Sequence, residues 1–318
     1  MTLDSSAQLM ARLTAQLRTQ LLSVRAPHQP RVTPEPPSGV PVLVAAVHGS
    51  RDPEAARTVE ALLASVRAMR PELRVVPGYI ELNEPSLSGV LAALPAGQPA
   101  VVVPLLFGRG HHVDHDLPRV LADAPHVGAR AAQPLGPHPL LAAALYDRLL
   151  EAGWPGTAAD ASRGARRHDR LSPCGPERLA VVLAAAGSRC PAAAEATERT
   201  AWQLRRRLGG DVPVVAAYAS AARPSVGEAV RALRAGGHSR VAVASCFVAP
   251  GHFAAACASR SGWISSAPIG DHPALVRLVL HRYDEARAAL PADSAGRVLS
   301  RAPHGTRSAP AGAVAPAE

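Results

Sequence analysis

One sequence block occurs twice in this chain, and the duplication constrains the fold more than any other feature. Four segments of the first block recur in the second in the same order, offset by 134 to 141 residues. Such a repeat is much longer than the roughly 20–50-residue units of solenoid proteins. We therefore predict a tandem duplication of one domain within the 318 residues. The paired segments are VLVAAVHGSR and LAVVLAAAGSR, VVPGYIELNEPS and VVAAYASAARPS, VVVPLLFGRGHHV and VAVASCFVAPGHF, and QPLGPHP and APIGDHP.

Within each block, short β-branched apolar runs alternate with segments of helical periodicity. Strict alternation of strand and helix predicts a parallel sheet with helices on both faces. The predicted fold class is therefore α/β, with two tandem duplicated domains, each a parallel sheet flanked by helices. In the first block the predicted strands are PVLVAAV, Leu73–Ile80, Ala100–Leu106 and Val127–Gln133; the predicted helices begin at Asp52-Pro53 and at Pro85, lie near Leu117–Ala124, and span Pro139–Glu151.

The segments around the two blocks are rich in Pro, Gly, Ser and charged residues, which is typical of linkers and tails. The predicted organisation is a flexible N-terminal extension (1–39), a catalytic domain (40–153), a linker (154–177), a non-catalytic repeat (178–290) and a disordered C-terminal tail (291–318).

The cysteines and the hydropathy pattern indicate the compartment. The four cysteines form no CxxC pair and are too few for a disulfide scaffold, so we expect buried thiols in a reducing cytoplasm. No apolar run reaches the roughly 18 residues of a transmembrane helix, and the N-terminus lacks the hydrophobic block of a secretory signal. We therefore predict a cytoplasmic protein with no membrane partner.

The positive charge is concentrated in the second block. The chain has a net charge of +9, with −2 over residues 41–153 and +7 over residues 178–290. A basic region attracts nucleic acid, membrane surfaces or polyanionic small molecules. Aromatic residues make up only 3% of the chain and no nucleic-acid-binding motif occurs, so we predict no nucleic-acid partner.

Three polar groups follow three predicted strands of the first block. His48 follows the first strand, Glu81 ends the second, and His111 and His112 follow the third through the Gly108-Arg109-Gly110 loop. Ligands of open parallel sheets bind at the carboxyl ends of the strands. Imidazole and carboxylate groups at one edge suit a divalent metal or general-base chemistry.

Each of these residues also has a plain structural interpretation. A single His after a strand is commonly a turn or cap residue, Glu81 alone could be a surface carboxylate, and HHVDH could be a solvated loop. The convergence of three segments on one edge favours the functional interpretation. His138 and His272 precede Pro at matching places in the two blocks, and we expect them to begin helices.

The second block lacks the three polar groups. The glycines and serines of the surrounding turns are present in both copies, which indicates that the scaffold persists without the chemistry. We therefore predict a catalytic first half and an accessory second half. The replacements are Ala186 for His48, Ser220 for Glu81 and Phe253 for His112.

The same three segments resemble the sirohydrochlorin chelatase family, the ATP-independent class II chelatases of cobalt and iron insertion. The resemblance rests on HGSR from His48, on YIEL followed by EPS from Tyr79, and on PLLFGRGHHVDHDLP from Pro104. It implies that His48 and His112 bind metal and accept protons, with Glu81 as assisting and metal-binding carboxylate.

The resemblance also implies the reaction and its participants. The expected activity is insertion of a divalent metal (Fe²⁺, Co²⁺ or Ni²⁺, as substrate) into a small tetrapyrrole, in sirohaem or cobalamin biosynthesis, with no ATP or other nucleotide. The active site would lie in the cleft between the domains, and transient contact with other tetrapyrrole-pathway enzymes is expected. Substrate binding is assigned to Ser50, Arg51, Arg109, Gly110 and His111, although His111 occupies a position that is often aromatic in the family.

Two other functions stay open at this stage. A metal or tetrapyrrole carrier could use the same ligands without turnover. A phosphatase could use His48 as nucleophile beside Arg51, but histidine phosphatases carry Arg directly before the His, and here Val47 occupies that position.

Overall fold

The computed structural model describes residues 39–156 and 178–290, so the predicted extension, most of the linker and the tail lie outside the described residues. The first half contains four parallel strands in the order β2-β1-β3-β4. Its elements are β1 (Val42–Val47), α1 (Pro53–Met69), β2 (Val75–Tyr79), α2 (Leu87–Ala92), β3 (Pro99–Pro104), a π-helical turn (His112–Asp116), α3 (Leu117–Ala122), β4 (Gly128–Ala131) and α4 (Pro139–Glu151).

The second half repeats this plan with a smaller sheet. Its three strands are parallel in the order β6-β5-β7, and where the first half has β4 it keeps only an isolated bridge between Val243 and Ser265. The elements are β5 (Leu179–Ala185), α5 (Pro191–Arg207), β6 (Val214–Tyr218), α6 (Val226–Ala235), β7 (Arg240–Ser245), α7 (His252–Ala258) and α8 (Pro273–Ala288). The predicted α/β class with parallel sheets flanked by helices is confirmed.

Most predicted helix starts agree with the structure. The Asp52 carboxylate accepts a hydrogen bond from the Glu54 N–H and caps α1, as expected. His138 and His272 cap α4 and α8 through their Nδ1 atoms, which accept from backbone N–H groups. The predicted start of α2 at Pro85 is wrong. The Pro85 carbonyl accepts a hydrogen bond from the Tyr79 N–H, and the Ser86 hydroxyl caps the helix one residue later.

The two halves exchange their last helices. Helix α4 packs against α5 and β7 of the second half, whereas α8 packs against α1, β3 and β4 of the first half. The buried Tyr283 hydroxyl on α8 donates to the Pro41 carbonyl at 2.7 Å, and Arg70, directly after α1, binds the Asp284 carboxylate through both Nη atoms. Consequently the two repeats form one compact unit with a shared core.

The other face of each sheet has a core of its own. Leu87, Leu91 and Leu117 cover the first sheet, and Val226 and Val230 cover the second. The predicted burial of the cysteines holds for Cys246 and Cys257, while Cys190 is partly exposed; Cys174 lies outside the described residues. No helix in residues 39–156 or 178–290 combines the length and apolar character that crossing a membrane requires.

Candidate active site

The two predicted histidines of the first half are in contact. His48 follows β1 and His112 follows the loop after β3, and β1 and β3 are hydrogen-bonded neighbours in parallel register. The ring centroids of His48 and His112 lie 4.6 Å apart with an interplanar angle of 81°. The rule that parallel strands present ligands at their carboxyl ends therefore identified a pair of imidazoles that the structure brings together.

Gly49 ties the His48 loop to the segment that carries Glu81. The Glu81 N–H donates to the His48 carbonyl at 3.0 Å, and Gly49 adopts a φ of 102°. A Cβ atom added at Gly49 would lie 1.9 Å from the Glu81 carbonyl oxygen. Only glycine allows this approach of two backbones. The Asn83 side chain adds a second tie by accepting a hydrogen bond from the Ser50 N–H at 2.7 Å.

His112 is oriented by a carboxylate one helical turn away. Its Nδ1 atom lies 2.7 Å from Oδ2 of Asp116, at the end of the π-helical turn. An ionised carboxylate only accepts hydrogen bonds, so Nδ1 carries the proton and Nε2 keeps its lone pair. Histidines that bind metals are commonly oriented in this way by a carboxylate behind the ring.

The Glu81 side chain is exposed at the same edge of the sheet. In the described ranges, no three His, Cys, Asp or Glu side chains are grouped closely enough to hold a metal ion. The structure thus brings together the side chains of His48 and His112, and it links Glu81 to them through the backbone. The assignment of Glu81 as a ligand stays a prediction.

The residues predicted to bind substrate lie along the junction between the halves. A Cβ atom at Gly110 would lie 3.3 Å from Oγ of Ser188, and one at Gly251 would lie 3.9 Å from Oγ of Ser50. Each half therefore places its third-strand loop against the Gly-Ser turn of the other half. The resemblance implies an active-site cleft between the domains, and its position at this junction stays a prediction.

The charged and imidazole groups beside the junction vary in exposure. Arg51 is exposed. The Arg109 guanidinium lies 3.4 Å from the Asp114 carboxylate. The His111 ring is three-quarters exposed, and its Nε2 lies 3.7 Å from Oδ1 of Asp116. The His111 ring is thus largely exposed, and its centroid lies 6.2 Å from that of His112 and 5.0 Å from that of His115.

The second half reproduces the backbone of the site without its chemistry. The Ser220 N–H donates to the Ala186 carbonyl at 3.0 Å, as Glu81 does to His48. A Cβ atom at Gly187 would lie 1.9 Å from the Ser220 carbonyl oxygen, the same distance as at Gly49. The side chains are the methyl group of Ala186 and the hydroxyl group of Ser220, where the first half has the imidazole of His48 and the carboxylate of Glu81.

Asp116 and Asn83 also contact the segments of this site, although the motifs of the sequence do not predict a role for either. The spacing of four residues between His112 and Asp116 is the signal for the first, because such pairs meet on a helical turn. For Asn83 the signal is its replacement by Ala222 in the second copy, which removes the side-chain acceptor.

Burial shifts the pKa of several groups that lie outside the pair formed by His48 and His112. Burial raises the pKa of the Cys246 thiol to about 12, so this cysteine stays protonated and is unsuited to bind a metal. Burial also lowers the pKa of the capping His138 and His272, which keeps their accepting nitrogens unprotonated.

The sequence model of the CbiX family matches this chain twice, over residues 42–152 and again over residues 180–286. The chain belongs to the CbiX family. The paired match agrees with the internal duplication, and the CbiX repeat in the first half contains both His48 and His112.

Curated relatives and solved structures of CbiX type agree with this assignment. A sirohydrochlorin cobaltochelatase of Sulfurisphaera tokodaii is 34% identical over 76 residues, which span 23% of this chain and 63% of that protein. A sirohydrochlorin cobaltochelatase of Methanococcoides burtonii is 25% identical over 123 residues, which span 34% of this chain and 94% of that protein.

Among solved structures, SirB from Bacillus subtilis with Fe³⁺ has a TM-score of 0.57 and 22% identity, covering 80% of this chain and 97% of that one. The structure of CbiX, described as the terminal enzyme for siroheme biosynthesis in denitrifying bacteria, has a TM-score of 0.52 and 21% identity, covering 79% of this chain and all of that one. At these identities the two structures establish the shared fold.

Proposed function

We propose that this protein is a sirohydrochlorin chelatase that inserts Fe²⁺ or Co²⁺ into sirohydrochlorin. The observation that carries the proposal is the contact between His48 and His112 in the first of two CbiX repeats. The names of the curated relatives support sirohydrochlorin as the substrate. Insertion of iron would serve sirohaem formation, and insertion of cobalt would serve cobalamin formation.

The chemistry of insertion needs a weakly held ion and two proton acceptors. One divalent ion enters the macrocycle, and the two inner pyrrole N–H protons leave it. Neutral imidazole can bind the ion and can also accept a proton near neutral pH, since its unperturbed pKa is about 6.5. Two histidines leave most coordination positions of the ion open to the macrocycle nitrogens, whereas a full protein ligand set would retain it.

His112 is the better prepared of the two histidines. Its Nδ1 is bonded to Asp116, so Nε2 is available to the ion or to a departing proton. His48 has its backbone fixed by the Glu81 N–H and its ring against that of His112. We assign both rings to metal binding and proton acceptance, and Glu81 to an assisting role from the exposed edge.

The assignment of roles to the two halves follows from their side chains. We assign substrate contact to Ser50, Arg51, Arg109, Gly110 and His111, which lie in or beside the junction loops. The second half carries Ala186, Ser220 and Phe253 in place of the three polar groups and would contribute binding surface only. The proposed reaction uses no nucleotide, and the free thiols of the described cysteines suit a reducing cytoplasm.

The experiment is an anaerobic insertion assay in which the absorbance change of the macrocycle reports the reaction. Co²⁺ and Fe²⁺ are tested separately. H48A and H112A should each lower kcat/KM by at least about 100-fold, with unchanged thermal unfolding because the His48 ring is exposed and the His112 ring is only partly buried. H252A is the matched control, since His252 is the exposed counterpart of His111 in the second half. Near wild-type rates in H48A or H112A would show that the site is elsewhere.

The carrier alternative predicts a different time course. An enzyme forms many equivalents of metallated product per protein chain, whereas a carrier stops at one. Multiple turnovers in the wild type that exceed the uncatalysed rate would exclude a pure carrier. A phosphomonoester assay on the same preparation tests the phosphatase alternative.

A further inference from the structure

A cavity of about 370 Å³ lies where the two halves meet, beside the carboxyl edge of the first sheet. Arg109 and Gln133 reach it from the loops after β3 and β4, and Glu195 and Arg199 reach it from α5. The exchanged helix α8 contributes Arg282. The volume of the cavity falls within the range of about 300–1,000 Å³ that small-molecule sites occupy.

Three arginines from three separate parts of the chain therefore line one cavity. The lining contains a single carboxylate, that of Glu195, which pairs with Arg199. The partners of the other two arginines, Asp114 and Glu285, do not line it. The lining itself carries three positive charges against one negative charge, and Asp114 and Glu285 offset two of the positive charges from outside it. Guanidinium groups at the wall of a cavity are suited to an anion.

Arg282 supplies the most specific signal. Its side chain is only 12% exposed, and its Nη1 donates to Glu285 at 2.8 Å. Its Nε is buried and has no hydrogen-bond partner within the described part of the chain. A buried donor on a charged group is costly when it has no acceptor, and most such groups in proteins have one. Arg282 therefore brings a largely buried guanidinium, whose carboxylate partner is Glu285, to the wall of the cavity.

We propose that this cavity binds a carboxylate group of an organic anion. Arginine is suited to carboxylates because its planar donors match the two oxygens. The carboxylate could come from an acidic side chain of the tetrapyrrole, which rests on the proposed function, or from a free small polycarboxylate. In either case the cavity lies next to the candidate active site, since Arg109 contacts Asp114 in the same π-helical turn as His112.

Citrate binding to the full-length, metal-free protein tests the site by isothermal titration calorimetry at low ionic strength. R282Q and R199Q should each raise the Kd of citrate by about tenfold, which corresponds to 1.4 kcal/mol. E195Q should lower the Kd severalfold, because it removes the one negative charge from the lining. R277Q, an exposed position on the same helix, is the control and should leave the Kd unchanged.

A second titration with sirohydrochlorin, without metal, identifies the source of the carboxylate. Weaker sirohydrochlorin binding in R199Q, together with competition by citrate, would assign the site to the substrate; an effect on citrate alone would assign it to a free anion. Arg199 is exposed, so R199Q keeps the test valid if R282Q unfolds. No citrate binding to the wild type, with equal sirohydrochlorin Kd in all variants, would overturn the proposal. Absence of metal insertion by the wild type would instead contradict the proposed function.

Discussion

The Asp116 carboxylate lies 2.7 Å from Nδ1 of His112, one helical turn along the chain, and so fixes which nitrogen of that ring is free. We propose that Asp116 is a positioning residue, which would act on the proposed reaction through His112. Its Oδ1 also lies 3.7 Å from Nε2 of the exposed His111. The single carboxylate therefore connects a ring in the site to a ring in solvent.

Removal of this carboxylate should weaken metal binding without unfolding the protein. Loss of a carboxylate behind a metal-binding His typically costs about 10–100-fold in affinity or activity. We expect D116A to raise the Kd of Co²⁺ by that factor and D116N to be intermediate, since the amide oxygen still accepts. Calorimetric titration of Co²⁺ measures this, with D123A, at the exposed C-terminal end of α3, as the control. Equal Co²⁺ affinity in D116A and wild type would refute the positioning role.

The two glycines of the matching turns offer a paired test. G49A and G187A each place a Cβ atom 1.9 Å from a carbonyl oxygen, at φ values of 102° and 91°. Each should destabilise the fold by at least about 1–3 kcal/mol through backbone strain. Urea unfolding should show similar losses, whereas only G49A should impair metal binding, because only that turn carries a His. If G187A impaired Co²⁺ binding as much as G49A, the turn of the second half would also take part in metal binding, contrary to the prediction.

The capping histidines predict a loss of stability in weak acid. Burial lowers the folded-state pKa of His138 and His272 below the unfolded value of about 6.5. The unfolded chain then binds more protons, so this stability is present above about pH 6.5 and is lost as pH falls through the folded pKa. The free energy of unfolding should decrease from pH 6.5 to pH 5.

Substitution by Asn isolates this contribution, since the Asn side chain caps a helix without titrating. H138N and H272N should each flatten the decline between pH 6.5 and pH 5, and H126N, at an exposed position, should not. Parallel stability curves for the wild type and both capping variants would rule the mechanism out.

The exchange of the last helices predicts a single unfolding transition. Tyr283 on α8 is fully buried and bonded to Pro41 at the start of the first sheet. Y283F should cost about 1–3 kcal/mol, because it leaves the buried Pro41 carbonyl without its donor. Within each of the two proteins, wild type and Y283F, fluorescence and circular dichroism should report the same urea midpoint. Two separated transitions would mean that the halves fold independently.

The sequence predicted the strands and the histidine pair because both follow from local patterns. His48 and His112 each follow a β-branched run, and the geometry of parallel strands brings the ends of such runs together. The contact of Asp116 with His112 is also local, but it depends on a π-helical turn that periodicity does not reveal.

The helix exchange and the arginine cavity depend on tertiary structure instead. The apolar face of α8 indicates burial, but nothing in its composition says which of two similar sheets it covers. Arg109, Arg199 and Arg282 are separated by up to 173 positions in the numbering and meet only because α8 crosses to the first half. The isolated bridge at Ser265 likewise replaces a strand that the first half forms at Gly128–Ala131.

The exchange of α4 and α8 has a consequence for how a duplicated gene can change. The second copy carries Ala186, Ser220 and Phe253 where the first has His48, Glu81 and His112, and both faces of its sheet are still covered by apolar side chains. Deletion of the second half would remove α8, which packs against β3 and β4 of the first half. The second copy can therefore change at these three positions during evolution, but it cannot be deleted. The first copy depends on it for its own folding.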